Sequence, residues 1–162
     1  AVSAAGIISD ARVLVDRAQL KAQQHFVTYN GKIDILSIVK DICDLKQICT
    51  QSAGLRPFGV SLLVAGVEED GTIKLFVTEP YGLYFQYRAA AVGEGDVEIE
   101  QILQKKWKST ISVNDAVKLG VGAMKDTLKG DFDVNTCDVT IIRTEGKKAQ
   151  CLSADQIKKM LK

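Results

Sequence analysis

Residues from which many active sites are built are scarce in this sequence. Its 162 residues include a single histidine, His25, and four cysteines that form no C-x-x-C pair. A Ser/His/Asp or Cys/His arrangement therefore has one possible base, and the paired thiols of a typical zinc site are missing. We interpret His25 as a structural residue and the cysteines as reduced thiols of a cytosolic protein. Neither a metal nor a cofactor is predicted.

An excess of charge of one sign is also absent. The chain has 21 Lys and Arg against 20 Asp and Glu, a formal net charge of +1. Because proteins that bind nucleic acid or anionic membranes usually carry a large positive excess, neither is predicted as a partner. The longest apolar run, near residues 60–67, is far shorter than the roughly 20 residues needed to cross a bilayer. Residues 1–6 lack the basic start and sustained apolar core of an intact signal peptide.

Apolar residues first recur at helical spacing. Between residues 6 and 25 this spacing predicts an amphipathic helix with one face to bury. A second helix is predicted after Asp34, which is well placed as its N-cap, and Gly54 and Pro57 are expected to end it. We expect the two helices to pair as a hairpin.

Beyond the second helix the period changes to two. Strands are predicted at 58–65, 72–78 and 83–89, with turns at 69–71 and 79–82. An antiparallel meander is the simplest arrangement of three such strands.

The last third of the chain returns to helical spacing and then to strands. Ser112 resembles the cap of a helix, and Ser153 that of a closing helix. Grouped rather than strictly alternating helices and strands indicate an α+β protein. Without a linker or repeat, one domain over residues 1–162 is expected. The predicted segments are helices at 99–107 and 113–128, strands at 137–142 and 148–152, and a helix from 154 onward.

Several sequence blocks in order carry a family resemblance. Together they resemble the α-type subunits of the 20S proteasome, over essentially the whole chain. Typical members have Asp-Pro-Ser-Gly where this chain has Glu79-Pro-Tyr-Gly, which keeps the turn-forming Pro and Gly. The blocks are Ser9-Asp-Ala-Arg-Val-Leu-Val-Asp-Arg, Gln23-Gln-His, Tyr29-Asn, Thr50-Gln, Arg56-Pro-Phe-Gly-Val-Ser-Leu-Leu and Glu79-Pro-Tyr-Gly-Leu-Tyr-Phe.

The resemblance implies a four-layer αββα sandwich of the N-terminal-nucleophile hydrolase type, in one of seven positions of a ring. The family's N-terminal gate, first helix and early strands precede the segment matched by Ser9, so the sandwich is expected to be incomplete at its N-terminus. Unpaired sheet edges would result. We therefore expect further protein to precede Ala1 in the natural gene product.

The resemblance also implies a non-catalytic α-ring subunit. Such a subunit contributes to ring assembly, substrate gating and activator docking in ubiquitin-dependent protein degradation, in the cytoplasm and nucleus. Its expected partners are neighbouring α subunits, β-ring subunits and proteasome activators or the regulatory particle. No catalytic residue is expected, since Ala1 has neither the hydroxyl nor the thiol of an N-terminal nucleophile.

Two groups of residues are expected to matter structurally. In the family the first two helices face the β ring, which makes the charged residues of the first helix candidates for that contact, with plain solvation as the alternative. A second group is expected to hold the helix-to-strand turn. The candidate interface residues are Arg12, Asp16, Arg17 and Lys21, and the turn residues are Arg56, Pro57 and Gly59.

Two other hypotheses remain open. One is a β-type N-terminal-nucleophile peptidase whose nucleophile is missing from this sequence. The other is a freestanding small α+β enzyme, which has little beyond composition behind it.

Overall fold

The computed structural model describes residues 1–161, apart from the side chain of Asp131. The chain forms two compact units, Ala1–Arg88 and a second that begins at Ala89. Each unit contains both helices and strands. The α+β class predicted from the sequence is confirmed.

The first unit is a four-stranded sheet with two helices. Its strands follow the order β1-β2-β3-β4 and every neighbouring pair is antiparallel. The register sets Ala4 opposite Leu62 and Val64 opposite Phe76. The elements are β1 (Val2–Gly6), α1 (Ile8–Tyr29), α2 (Ile35–Gln51), β2 (Val60–Val67), β3 (Ile73–Thr78) and β4 (Tyr84–Gln86).

Capping groups fix where α2 begins. The Asp34 carboxylate accepts a hydrogen bond from the backbone N–H of Ser37 at 2.7 Å, as expected for an N-cap. Glu68, just past β2, accepts a second one from the N–H of Ile35 at 3.1 Å. Two of the helix's otherwise unpaired N–H groups are thereby satisfied.

Alternation along β2 sends one set of side chains into the core. Val60, Leu62 and Val64 are buried, because successive side chains of a strand point to opposite faces. They pack with Leu14 of α1 and Ile42 of α2 in one hydrophobic cluster. Each fully buried aliphatic side chain of this kind stabilises the fold by about 1.5–3 kcal/mol.

The second unit has a smaller core of its own. Ser112 caps α4 by accepting from the N–H of Asp115 at 3.1 Å. Val121 of α4, Ile141 of β5 and Ile157 of α5 are buried in one cluster. The elements are α3 (Asp96–Lys106), α4 (Val113–Leu128), β5 (Val139–Ile142), β6 (Ala149–Leu152) and α5 (Ala154–Leu161).

The predicted order of elements is confirmed, with one strand missed. The sequence Val-Ser-Ala-Ala-Gly of β1 has few β-branched or aromatic residues, and its pairing with β2 rather than intrinsic propensity places it in the sheet. β4 is shorter than the predicted strand 83–89. The four-layer sandwich and the single domain over 1–162 concern the relation between the two units, and stay predictions.

Gly6 forms a sharp junction between β1 and α1. Its φ is 119°, a value that side-chain-bearing residues rarely adopt. A Cβ atom there would collide with the carbonyl oxygen of Gly59. The close approach of these two backbones therefore requires glycine.

We predict that Gly6→Ala lowers the free energy of unfolding by more than about 2 kcal/mol, because it adds a backbone clash to an unfavourable φ. Gly71→Ala is the matched control, since Gly71 also has positive φ but open space around it. That control should cost about 1 kcal/mol. Urea unfolding followed by circular dichroism measures both, and equal losses would contradict the clash.

Candidate interaction surface

The outer face of α1 carries an apolar stripe. Leu14 and Ala18 are buried on the opposite side of this helix. Val13, Leu20 and Val27, spaced seven residues apart, are 48%, 54% and 84% exposed. Because seven residues are close to two helical turns, the three side chains lie in one row. We call this row the α1 outer face.

A groove continues the apolar surface at the C-terminal end of α1. It has a volume of about 510 Å³ and includes Val27 of the α1 outer face. Phe26, also in its lining, is 55% exposed. Solvated helix faces are usually polar, so the exposed aromatic and aliphatic side chains of this groove are typical of a contact surface.

Two of the four predicted interface residues bind within the chain. Arg17 Nε lies 2.7 Å from Asp41 Oδ2, and Lys21 Nζ lies 3.3 Å from Asp41 Oδ1. Partial burial acts to raise the pKa of Asp41, but the hydrogen bonds from Arg17 and Lys21 outweigh it and lower that pKa. Both cations therefore help to hold α1 against α2.

The other two predicted interface residues are exposed, and both lie on the same side of the stripe. Within residues 1–161, Arg12 and Asp16 make no hydrogen bond or ion pair. They lie on α1 beside Val13. Their role in a contact stays a prediction. The apolar stripe itself was missed, although its seven-residue spacing is visible in the sequence.

Two of the three predicted turn residues, Arg56 and Gly59, bind Asp10 of α1, and the third, Pro57, accepts from Arg56. Arg56 donates to Asp10 from both Nη atoms at 2.8 Å, in a bidentate pair. The backbone N–H of Gly59 donates to the same carboxylate at 2.9 Å. Arg56 also donates to the carbonyl oxygen of Pro57 at 2.8 Å. We call this arrangement the Asp10 anchor.

The Asp10 anchor ties the start of α1 to the segment that leads into β2. Asp10 is 7% exposed. Its hydrogen bond with Arg56, followed by that with Gly59, lowers its pKa to about 2. It also lies in the first turn of α1, where a negative charge is favoured by the helix dipole. Sequence reasoning singled out Arg56 without identifying this partner.

Other polar candidates have structural contacts. His25 Nδ1 lies 3.1 Å from the carbonyl oxygen of Gly31, and its ring centroid lies 4.7 Å from that of Tyr29. Among the acidic residues at 68–70, Glu68 caps α2, and the Asp70 carboxylate accepts from the N–H of Thr72. No helix in the described part of the chain is long and apolar enough to cross a membrane.

Comparison with known proteins identifies the family. A family model described as "Proteasome subunit" matches residues 1–142. The chain belongs to the proteasome subunit family. The resemblance to proteasome α-type subunits that the sequence blocks indicated is confirmed by its similarity to proteins of that name.

Two of these relatives show the extent of the similarity. The chain is 44% identical over 161 residues to "Proteasome subunit alpha" of Pyrococcus horikoshii, which covers 99% of the chain and 61% of the relative. It is 37% identical, with the same coverage, to the protein of that name from Methanocaldococcus jannaschii. The chain thus spans 61% of the length of these relatives.

We predict that Asp10→Asn removes an acid-sensitive part of the stability. Because the pKa of Asp10 is lowered to about 2 in the folded chain, its carboxylate stabilises the fold at neutral pH. This contribution is lost as the pH falls from about 4 to about 2. Denaturant unfolding at several pH values measures it.

The control is Asp16→Asn, an exposed aspartate on the same helix. It should keep the acid dependence of the unchanged chain, whereas Asp10→Asn should flatten it and be less stable at neutral pH. If both variants respond to acid alike, the Asp10 anchor does not hold the fold as described.

Proposed function

We propose that the chain is a non-catalytic α-ring subunit of the 20S proteasome. The observation that carries this proposal is identity of 36–44% to proteins named proteasome subunit alpha, over 97–99% of the chain. The proposal adds a position in the particle to the family assignment. Its neighbours there are further α subunits in the same ring and β subunits in the next ring.

The α1 outer face supports a contact with the β ring. Val13, Leu20 and Val27 offer an apolar centre, and burying such a centre provides most of the affinity of a protein interface. Arg12 and Asp16 lie at its rim, where charges set orientation and association rate more than affinity. Arg17 and Lys21 contribute through Asp41, by fixing α1 on α2.

The proposal also includes roles at the particle level. These are substrate gating and docking of activators or the regulatory particle, in ubiquitin-dependent protein degradation in the cytoplasm and nucleus. They follow from the resemblance to α-type subunits, and we assign no residue of this chain to them.

A β-type peptidase is the alternative within the same family. The two hypotheses differ in chemistry, because a peptidase of this type forms a covalent intermediate with an N-terminal nucleophile. Mass spectrometry of the natural particle after treatment with a covalent threonine-directed inhibitor distinguishes them. We expect no adduct on this chain; an adduct would favour the peptidase.

We predict that Leu20→Arg prevents assembly without unfolding the chain. Leu20 is about half exposed, so the change should alter stability by no more than about 0.5 kcal/mol. In an assembled particle the same arginine would be an unpaired charge in an apolar contact, which costs several kcal/mol. Co-purification with co-expressed β-type subunits from the same source measures assembly.

The matched control is Gln19→Arg, which adds the same charge one residue away on an exposed part of α1. It should assemble like the unchanged chain. Normal assembly of Leu20→Arg would show that the α1 outer face is not the contact. Failure of the unchanged full-length gene product to assemble would instead contradict the α-ring proposal.

A further inference from the structure

Lys46 is a buried lysine with three uncharged acceptors. Its exposed fraction is 0%. The Nζ atom donates to the carbonyl oxygen of Val60 at 2.8 Å, to Thr78 Oγ1 at 2.9 Å and to the carbonyl oxygen of Glu79 at 3.2 Å. No carboxylate is paired with it among the ion pairs of residues 1–161. Burying a charge without a counter-charge is costly, so this ammonium depends on its three hydrogen bonds.

These bonds join α2 to the ends of two strands. Val60 is the first residue of β2, Thr78 is the last of β3, and Glu79 begins the connection to β4. An ammonium group has three N–H donors, and all three are used here. One side chain therefore fixes the helix, both strand ends and the following turn.

That turn packs directly on the same part of α2. We call residues 79–83 the β3–β4 turn. It is closed by the N–H of Glu79, which donates to Leu83, and by the N–H of Gly82, which donates to Glu79. Gly82 has a φ of 93°, and a Cβ atom there would lie 2.6 Å from the carbonyl oxygen of Cys43. The turn has little freedom to move while this contact is held.

The number of donors changes with the protonation of Lys46. A neutral amine has two N–H groups and a lone pair, so it can donate to the two carbonyl oxygens and accept from the Thr78 hydroxyl, but its hydrogen bonds lack the charge that strengthens those of an ammonium. The longest bond, to the carbonyl oxygen of Glu79, is the weakest of the three. We propose that Lys46 is a proton-controlled staple, which holds the β3–β4 turn on α2 as an ammonium and loosens it as a neutral amine.

The surroundings bring this change into an accessible pH range. Burial lowers the pKa of Lys46 to about 8, although nearby Cys43 and Glu79 act to raise it. Burial raises the pKa of the Cys43 thiol to about 11, so Cys43 stays neutral near pH 8.

Other charged groups on the neighbouring elements are few. β2 carries no titratable side chain, and the only charged residue of β3, Lys74, lies four residues from Thr78. Arg17 and Lys21 of α1 are paired with Asp41. Lys46 is therefore the titratable group that directly binds both strand ends and the β3–β4 turn.

Nuclear magnetic resonance of the full chain, with isotope-labelled lysine and backbone, tests the proposal directly. Lys46 should titrate near pH 8, whereas exposed lysines keep their protons to about pH 10. The amide signals of Glu79 and Gly82 should shift with the same midpoint as Lys46. A Lys46 titration near pH 10, or turn amides that ignore it, would overturn the proposal.

Two variants and a control separate the staple from general alkaline effects. Lys46→Arg keeps its charge at every accessible pH, and Lys46→Met has none, so both should lose the turn response near pH 8. Lys40→Met removes an exposed lysine of the same helix and should keep it. A response that survives in either Lys46 variant contradicts the proposal. If neither variant folds, the titration of the unchanged chain still decides.

Global stability gives a second readout with a definite sign. Because the pKa of Lys46 is lower in the folded chain than its ordinary value of 10.5, the folded state releases this proton first. The free energy of unfolding of the unchanged chain should therefore rise as the pH increases from about 8 to about 10.5, relative to Lys46→Met. If the unchanged chain and Lys46→Met have parallel profiles of unfolding free energy against pH, the proposal that Lys46 is a buried, titrating charge is contradicted.

Discussion

The first unit depends on the carboxylate of Asp10. Three donors from residues 56–59 bind this one group, although Asp10 and Arg56 are 46 residues apart in sequence. The contact fixes the start of α1 against the segment entering β2, so the core face of the helix meets Val60 and Leu62. With the core face fixed, the α1 outer face has to point away from the sheet. The surface proposed for assembly is thus a consequence of an internal ion pair.

Two buried charged groups affect this unit differently. The Asp10 anchor pairs opposite charges and lowers the pKa of the Asp10 carboxyl to about 2. The carboxylate therefore stays charged near neutral pH, and this contact does not change there. Lys46 is bound by neutral oxygens, and its pKa is lowered to about 8, so its contact varies with pH. α2 therefore has a fixed attachment to α1 through Asp41, and a proton-dependent one to the β3–β4 turn.

Sequence patterns predicted the long periodic elements and missed what depends on distant partners. Asp34 was identifiable as a cap because capping is local. β1 was missed because its small residues have weak strand propensity, and β2 supplies the pairing. Arg56 was identifiable within the Arg-Pro-Phe-Gly block, but no neighbouring residue in the sequence indicates that Asp10 is its partner. Lys46 looks like a surface residue between Leu45 and Gln47, and only the packing of α2 on the sheet shows that it is buried.

The central proposal is that this chain works as a non-catalytic member of a larger ring. Native mass spectrometry of the chain purified from its natural source tests it most directly. The account predicts a particle of several hundred kilodaltons in which this chain is found with other proteasome subunits. A stable monomer with peptidase activity of its own would contradict it.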